Sequence, residues 1–160
     1  MNKNDYILNA VIAECEKHLK RMDSAYTKLS PSLPIKPETV NSLSDDEVEH
    51  IDQFIYRFSK LQDAIGKKLF TTLLSVLGED TDNKSLIDIF NRLEQLEIIE
   101  DYDTWKELRD IRNELVHEYE EDAVKNSEML NLLLDGKFKL AKYFDDIIKY
   151  VNEKKKNNNQ

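Results

Sequence analysis

Apolar side chains recur every three or four residues along most of the chain, the period of one face of an α-helix. The first run extends from Asn4 to about Leu29, with Tyr6, Ile7, Ala10, Val11, Ala13, Met22 and Ala25 as its stripe. It stops at Ser30-Pro31-Ser32-Leu33-Pro34-Ile35-Lys36-Pro37, where proline at every third position fixes φ and biases each preceding residue towards extended backbone. Residues 30–43 therefore read as a stiff linker between two helices. The second run opens at Ser44, where Ser44-Asp45-Asp46-Glu47 has the form of a capping box. It continues through Ile51, Ile55, Phe58, Ile65, Leu69 and Val76 to Gly78, a good C-terminal cap. Such a helix is about 50 Å long at 1.5 Å per residue. Its apolar face needs cover from other helices or from a partner chain.

Three further runs follow. One spans Ser85 to about Ile99. The next starts at Asp103 or Thr104, where Thr104 and Glu107 fit a second capping box, and ends near Tyr119. The last covers Asp122 to Val151, with Leu130, Leu133, Leu134, Phe138, Ala141, Phe144, Ile148 and Val151 as its stripe. Residues 154–160, KKKNNNQ, are low in complexity and read as a disordered tail. The chain has only three Gly and three Pro, too few for the many turns of a sandwich, a barrel or a Gly-rich nucleotide-binding fold. The expected fold is all-α, an up-and-down bundle of about five helices in a single domain over residues 1–153.

Charge and cysteine content narrow the function. A formal charge of −9 argues against broad, non-specific binding to nucleic-acid phosphates, so any RNA-directed activity needs a local exception. The lone Cys15 excludes a disulfide framework and a cysteine-based zinc site. No stretch reaches the ~18 apolar residues of a membrane span. The N-terminal segment lacks a signal peptide's apolar core, so a cytoplasmic location is expected.

The fourth helix carries the candidate chemistry. On a wheel of about 100° per residue, Leu108, Ile111 and Leu115 form a core stripe, and Glu107, Asp110, Glu114 and Glu118 a water face. The remaining arc holds Tyr119, Arg112, Trp105, Val116, Arg109, Asn113 and His117. Arg112 is anomalous because its helical neighbours are apolar. A cation leaving such a surface needs an anion. That anion is either a carboxylate elsewhere in the bundle or a bound phosphate, which a guanidinium fork fits well. His117 lies one turn after Asn113 among Glu114, Glu118 and Glu121, which favour its charged form and move its titration towards or above neutrality.

The segment Arg112-Asn113-Glu114-Leu115-Val116-His117-Glu118-Tyr119 resembles the R-x4-6-H motif of HEPN domains. His117-Glu118-Tyr119 matches the H-x-Y ending of the HepT-like branch. That resemblance implies a helical-bundle, metal-independent endoribonuclease that dimerises and acts as a toxin. It also implies neutralisation by a small MNT-type nucleotidyltransferase antitoxin. The family's catalytic arginine and histidine fall on Arg112 and His117, and its polar residue on Asn113. The tyrosine that the antitoxin modifies with AMP falls on Tyr119, and Arg109 is a supporting cation on the same arc. No cofactor or metal is implied.

Metal-free RNA cleavage needs a base for the 2′-OH proton, an acid for the departing 5′-oxygen and a cation for the phosphorane charge. One histidine cannot be base and acid in a concerted step, and His18 and His50 lie on other helices. A two-fold homodimer apposing two copies of this helix supplies two His117 and two Arg112 around one groove. The local charge points elsewhere: residues 98–122 hold ten carboxylates against Lys106, Arg109 and Arg112. Such acidity suits weak RNA binding or selection of a tRNA-like feature by shape. It also suits a second class of function, a non-catalytic HEPN-type subunit docked on a basic nucleotidyltransferase. A third reading is a plain helical dimerisation module with Arg112 in a salt bridge.

Overall fold

The computed structural model describes residues 2–117 and 122–159, and of Val116 and His117 the backbone alone. Helix α1 spans Lys3–Leu29, α2 Asp45–Asp63, α3 Phe70–Val76, α4 Leu86–Gln95, α5 Tyr102–His117 and α6 Ala123–Asn158. A π-helical segment, Ala64–Leu69, joins α2 to α3 without a break, so residues 45–76 form one rod. Counting that rod once leaves five helices, and there is no strand among the described residues. The chain is an all-α bundle. Its long helices alternate in direction: Arg57 and Lys68 of the rod meet His18 and Glu14 of α1 in reversed order, as Asp101 and Leu108 meet Tyr143 and Gly136 of α6.

Helix ends follow local chemistry. Ser44 and Ser85 accept the backbone N–H of Glu47 and Asp88, whose carboxylates return the bond to the cap. Asn2 and Asp5 make a third such box at the start of α1. The box expected at Thr104 does not form. Asp101, at φ 71°, caps α5 instead, accepting the Thr104 N–H at 3.1 Å and the Thr104 hydroxyl at 2.6 Å. Gly78 takes φ 80° after α3, as a C-terminal glycine should. Helix α4 stops at Gln95, short of the expected Ile99, because Glu97 adopts φ 59° and the chain turns there. Helix α6 continues through the lysines to Asn158, past the expected end near Val151; Lys155 and Lys156 complement the carbonyl end of its dipole.

The linker is docked rather than free. Ile35 is buried, and the Asn131 side chain on α6 accepts its N–H at 2.9 Å and donates to its carbonyl at 2.8 Å. The Leu33–Pro34 peptide is cis. The rod's stripe (Ile51, Phe54, Ile55, Phe58, Leu61, Ile65 and Leu69) is buried within a single chain, so no partner is needed to cover it. Three expected stripes shift in register. On α1 Tyr6, Ile7, Ala10 and Ala13 are exposed, and Leu8, Cys15 and Leu29 are buried beside Val11, Met22 and Ala25. On α6 the buried face includes Leu140, Tyr143 and Ile147, while Phe138 is 57% exposed and packs edge-on against Tyr26. On α5 the buried residues are Trp105, Leu108, Arg112 and Leu115, and Ile111 is only partly covered. Trp105, expected on the functional arc, is instead at the centre of the core. The reason is packing from two sides: Gly66 lets the rod approach the indole ring, and Gly136 lets α6 approach Leu108.

Candidate functional site

Arg112 is the buried cation of the bundle. It shares the buried face of α5 with Trp105, Leu108 and Leu115, and retains 9% of its surface. The guanidinium reaches the rod, where Nη1 donates to the Ser59 carbonyl at 2.7 Å and Nη2 to Asp63 Oδ1 at 2.7 Å. Its Nε is also buried and meets no acceptor among the described residues. Of the two readings open from the sequence, an internal carboxylate is therefore present. The pair is not sealed: the Asp63 side chain is 40% exposed, so the guanidinium lies at the edge of the core. There a fork donor with N–H groups left over is oriented by one carboxylate and one carbonyl.

The other candidates follow along α5. Asn113 is exposed and Arg109 half-buried. His117 is the last residue of α5; its side chain lies outside the described residues, as does Tyr119. The structure thus places Arg112, Asn113 and the His117 backbone on one helix, with Arg112 turned to the rod. Asp63 and Ser59 were not singled out in the sequence. One signal pointed to Asp63: it is the sole acidic residue between Asp52 and Glu79, in a stretch carrying Arg57, Lys60, Lys67 and Lys68.

The acidity of α5 is directed away from the rod. Asp103, Glu107, Asp110 and Glu114 line a groove of about 550 Å³ against α6, with Ile111, Met129 and Leu132 in its floor and Glu128 opposite. Lys106 and Lys125 also line it, Lys106 lying 3.9 Å from Asp110. A second cleft, of about 510 Å³, lies between the α4–α5 turn and the C-terminal half of α6 and contains Glu94, Glu97, Glu100 and Glu153 beside Lys142 and Lys149. Both are carboxylate-rich. Among the described residues, no cluster of three or more His, Cys, Asp or Glu is placed to hold a metal ion. No described helix is long and apolar enough to cross a membrane.

Two further titratable groups are held in one state. Cys15 is fully buried, and that burial pushes its thiol up to about 12, so it packs as an apolar residue rather than acting as a nucleophile. His18 Nδ1 lies 3.0 Å from Arg57 Nη1. A guanidinium only donates, so Nδ1 accepts and the ring proton sits on Nε2, 4.0 Å from Glu14. Burial first, then the charges of Arg57, Lys60 and Lys17, hold the His18 pKa below 6.5, with Glu14 opposing. The unfolded chain therefore takes this proton first as pH falls. Stability is full above about pH 6.5 and declines below it until the folded ring protonates too. The urea midpoint should drop more for wild type than for His18→Gln between about pH 7.5 and about pH 5. Parallel decline in the two proteins would refute the assignment.

No family model, curated protein or solved structure matches the chain.

Proposed function

We propose that the chain is a HEPN-type, metal-independent endoribonuclease that acts as a homodimer, in the manner of HepT-like toxins, and is neutralised by an MNT-type nucleotidyltransferase. The observation that carries this reading is the Arg112 guanidinium. It emerges from an apolar wall, is oriented by Ser59 and Asp63, and lies on the helix that also carries Asn113 and His117. In the reaction one His117 takes the proton of the 2′-hydroxyl. The 2′-oxygen attacks phosphorus, and the P–O5′ bond breaks. His117 of the second copy protonates the leaving 5′-oxygen, giving a 2′,3′-cyclic phosphate and a 5′-hydroxyl. Arg112 binds the phosphate and stabilises the charge that builds on its oxygens. Asn113 orients the substrate, Arg109 adds positive field, and Tyr119 is the residue on which AMP transfer would silence the site. RNA, with tRNA-like folds among the candidates, is the substrate class.

A second reading is a non-catalytic HEPN-type subunit that docks on a basic nucleotidyltransferase. The α5–α6 groove favours it, because carboxylates rim an apolar floor to which 51%-exposed Leu132 contributes. Incubating purified protein with RNA in EDTA separates the two. Cleavage that leaves cyclic-phosphate ends, and that is abolished in Arg112→Ala and His117→Ala, is the expected result. Intact RNA together with a stable nucleotidyltransferase complex would leave only the second reading.

A further inference from the structure

A protein of charge −9 needs a local surface that accepts phosphates if it is to handle RNA. The charges of this bundle are segregated. The carboxylates of α5 turn into the groove with α6. Between residues 57 and 68 the rod carries Arg57, Lys60, Lys67 and Lys68 over about three turns, with Asp63, held by Arg112, as the one carboxylate of that stretch. Arg57 bonds His18 and Lys68 pairs with Glu14 of α1, which leaves Lys60 and Lys67 exposed beside Tyr56, one turn after Asp52.

An aromatic side chain lies in the same place. Tyr56 is 54% exposed, and its ring has Arg57 at 5.4 Å and Lys60 at 5.6 Å from its centroid. Tyr56, Lys60, Asp63 and Lys67 step along the rod by four, three and four residues, which keeps them on one helical stripe. That stripe passes Ser59 and Asp63, the two groups that hold the Arg112 guanidinium. An exposed aromatic ring among cations, on a line leading to an arginine fork, is the combination that stacks one base and tracks the phosphates beside it.

We propose that the Tyr56–Lys60–Lys67 stripe of the rod binds single-stranded RNA, with a base on Tyr56 and backbone phosphates on Lys60 and Lys67, and leads the strand to Arg112. This rests on the ribonuclease reading for what happens at Arg112, but the binding itself can be measured separately. It also explains how an acidic protein can engage RNA: Asp103, Glu107, Asp110 and Glu114 line the groove with α6 rather than the rod.

The probe is a fluorescein-labelled 2′-O-methyl RNA 12-mer, which has no 2′-hydroxyl to react, titrated with full-length protein and followed by anisotropy. Tyr56→Ala should weaken binding by about tenfold. Lys60→Glu/Lys67→Glu should weaken it at least as much and flatten the slope of log K against log salt by about 1.4, or ~0.7 for each phosphate left without its lysine. Lys106→Glu/Lys125→Glu makes the same change in net charge inside the α5–α6 groove and should leave binding within about twofold, since a surface charge acts mainly within a Debye length. Equal weakening in both double variants, or wild-type affinity in the stripe variants, would overturn the proposal. Natural RNA that is cut normally while the stripe variants bind the probe like wild type removes the stripe and keeps the nuclease. Stripe-dependent binding without any cutting of natural RNA removes the nuclease and keeps the stripe.

Discussion

Arg112→Ala is expected to destabilise the bundle by about 2–3 kcal/mol and to lower RNA cleavage by about 10²-fold or more. Asp63→Asn is expected to cost about 1–2 kcal/mol and to leave cleavage standing. The stability of both depends on the same pair. Alanine at 112 removes two short charge-assisted bonds and a buried stem on the face of α5 that also carries Leu108 and Leu115. Asparagine at 63 keeps an acceptor for Nη2 but loses the charge. A fully buried pair would cost about 3–5 kcal/mol to break. Water reaches the 40%-exposed Asp63 side chain, so the smaller figure applies.

Activity separates what stability cannot. Where Arg112 serves only to tie α5 to the rod, both variants lose function in proportion to their loss of structure. Where it binds phosphate, Asp63 competes with the substrate for the guanidinium, and weakening that competitor leaves the rate intact or raises it. Urea unfolding of each variant, alongside cleavage measured well below its midpoint, gives both quantities. An Asp63→Asn protein that is folded but as inactive as Arg112→Ala would make the arginine structural and leave the second reading, or the plain dimerisation module with Arg112 in a salt bridge, in its place.

The helices were legible because their period and their caps are local. Ser44 with Glu47 carries its boundary in four residues, and so does Gly78 after α3. Thr104 with Glu107 has the same four-residue form and misleads. The deciding residue is Asp101, whose left-handed backbone puts its carboxylate under the Thr104 N–H. That conformation is set by the turn that returns α5 onto α4, where the Tyr143 hydroxyl donates to the Asp101 carbonyl at 2.6 Å. Arg112 was visible as a cation without local company, but its partner was not. The choice of Asp63 depends on how α5 crosses the rod, and sequence periodicity fixes a face without fixing a neighbour. The same limit applies to Trp105 and Phe138, both bulky aromatics at the edge of their stripes. Close approach at Gly66 draws the first into the core, while the second stays at the rim against Tyr26, with the Lys137 ammonium 4.4 Å from its ring centre.

Trp105→Ala should be among the most destabilising single changes in the chain, at about 3–5 kcal/mol. The indole is 1% exposed and meets Phe70, Phe90 and Tyr143 at centroid distances of 5.1, 6.2 and 5.1 Å. Those rings belong to α3, α4 and α6, so one side chain joins three helices to α5. It also faces the π-helical segment. A Cβ on Gly66 would lie 2.9 Å from Trp105 Cζ2, closer than real contacts allow, so the ring and the rod's backbone already touch. The Trp105 carbonyl accepts the buried Gln62 Nε2 at 3.0 Å, fixing the turn that holds Asp63. Alanine would leave a cavity beside the widened turn, and the rod could relax towards regular α-helix there, rotating Asp63 and Ser59 relative to Arg112. Phenylalanine should cost less, about 1–2 kcal/mol, because it keeps most of the ring packing and removes an Nε1–H that has no acceptor among the described residues. A typical domain is stable by only about 5–15 kcal/mol, so the alanine protein should be studied in the cold or with a stabilising osmolyte. Far-UV circular dichroism against urea reads both variants, since neither keeps the native fluorophore. A loss below about 1 kcal/mol in Trp105→Ala, with an unchanged urea slope, would show that the indole does not anchor the rod and that another contact sets the position of Asp63.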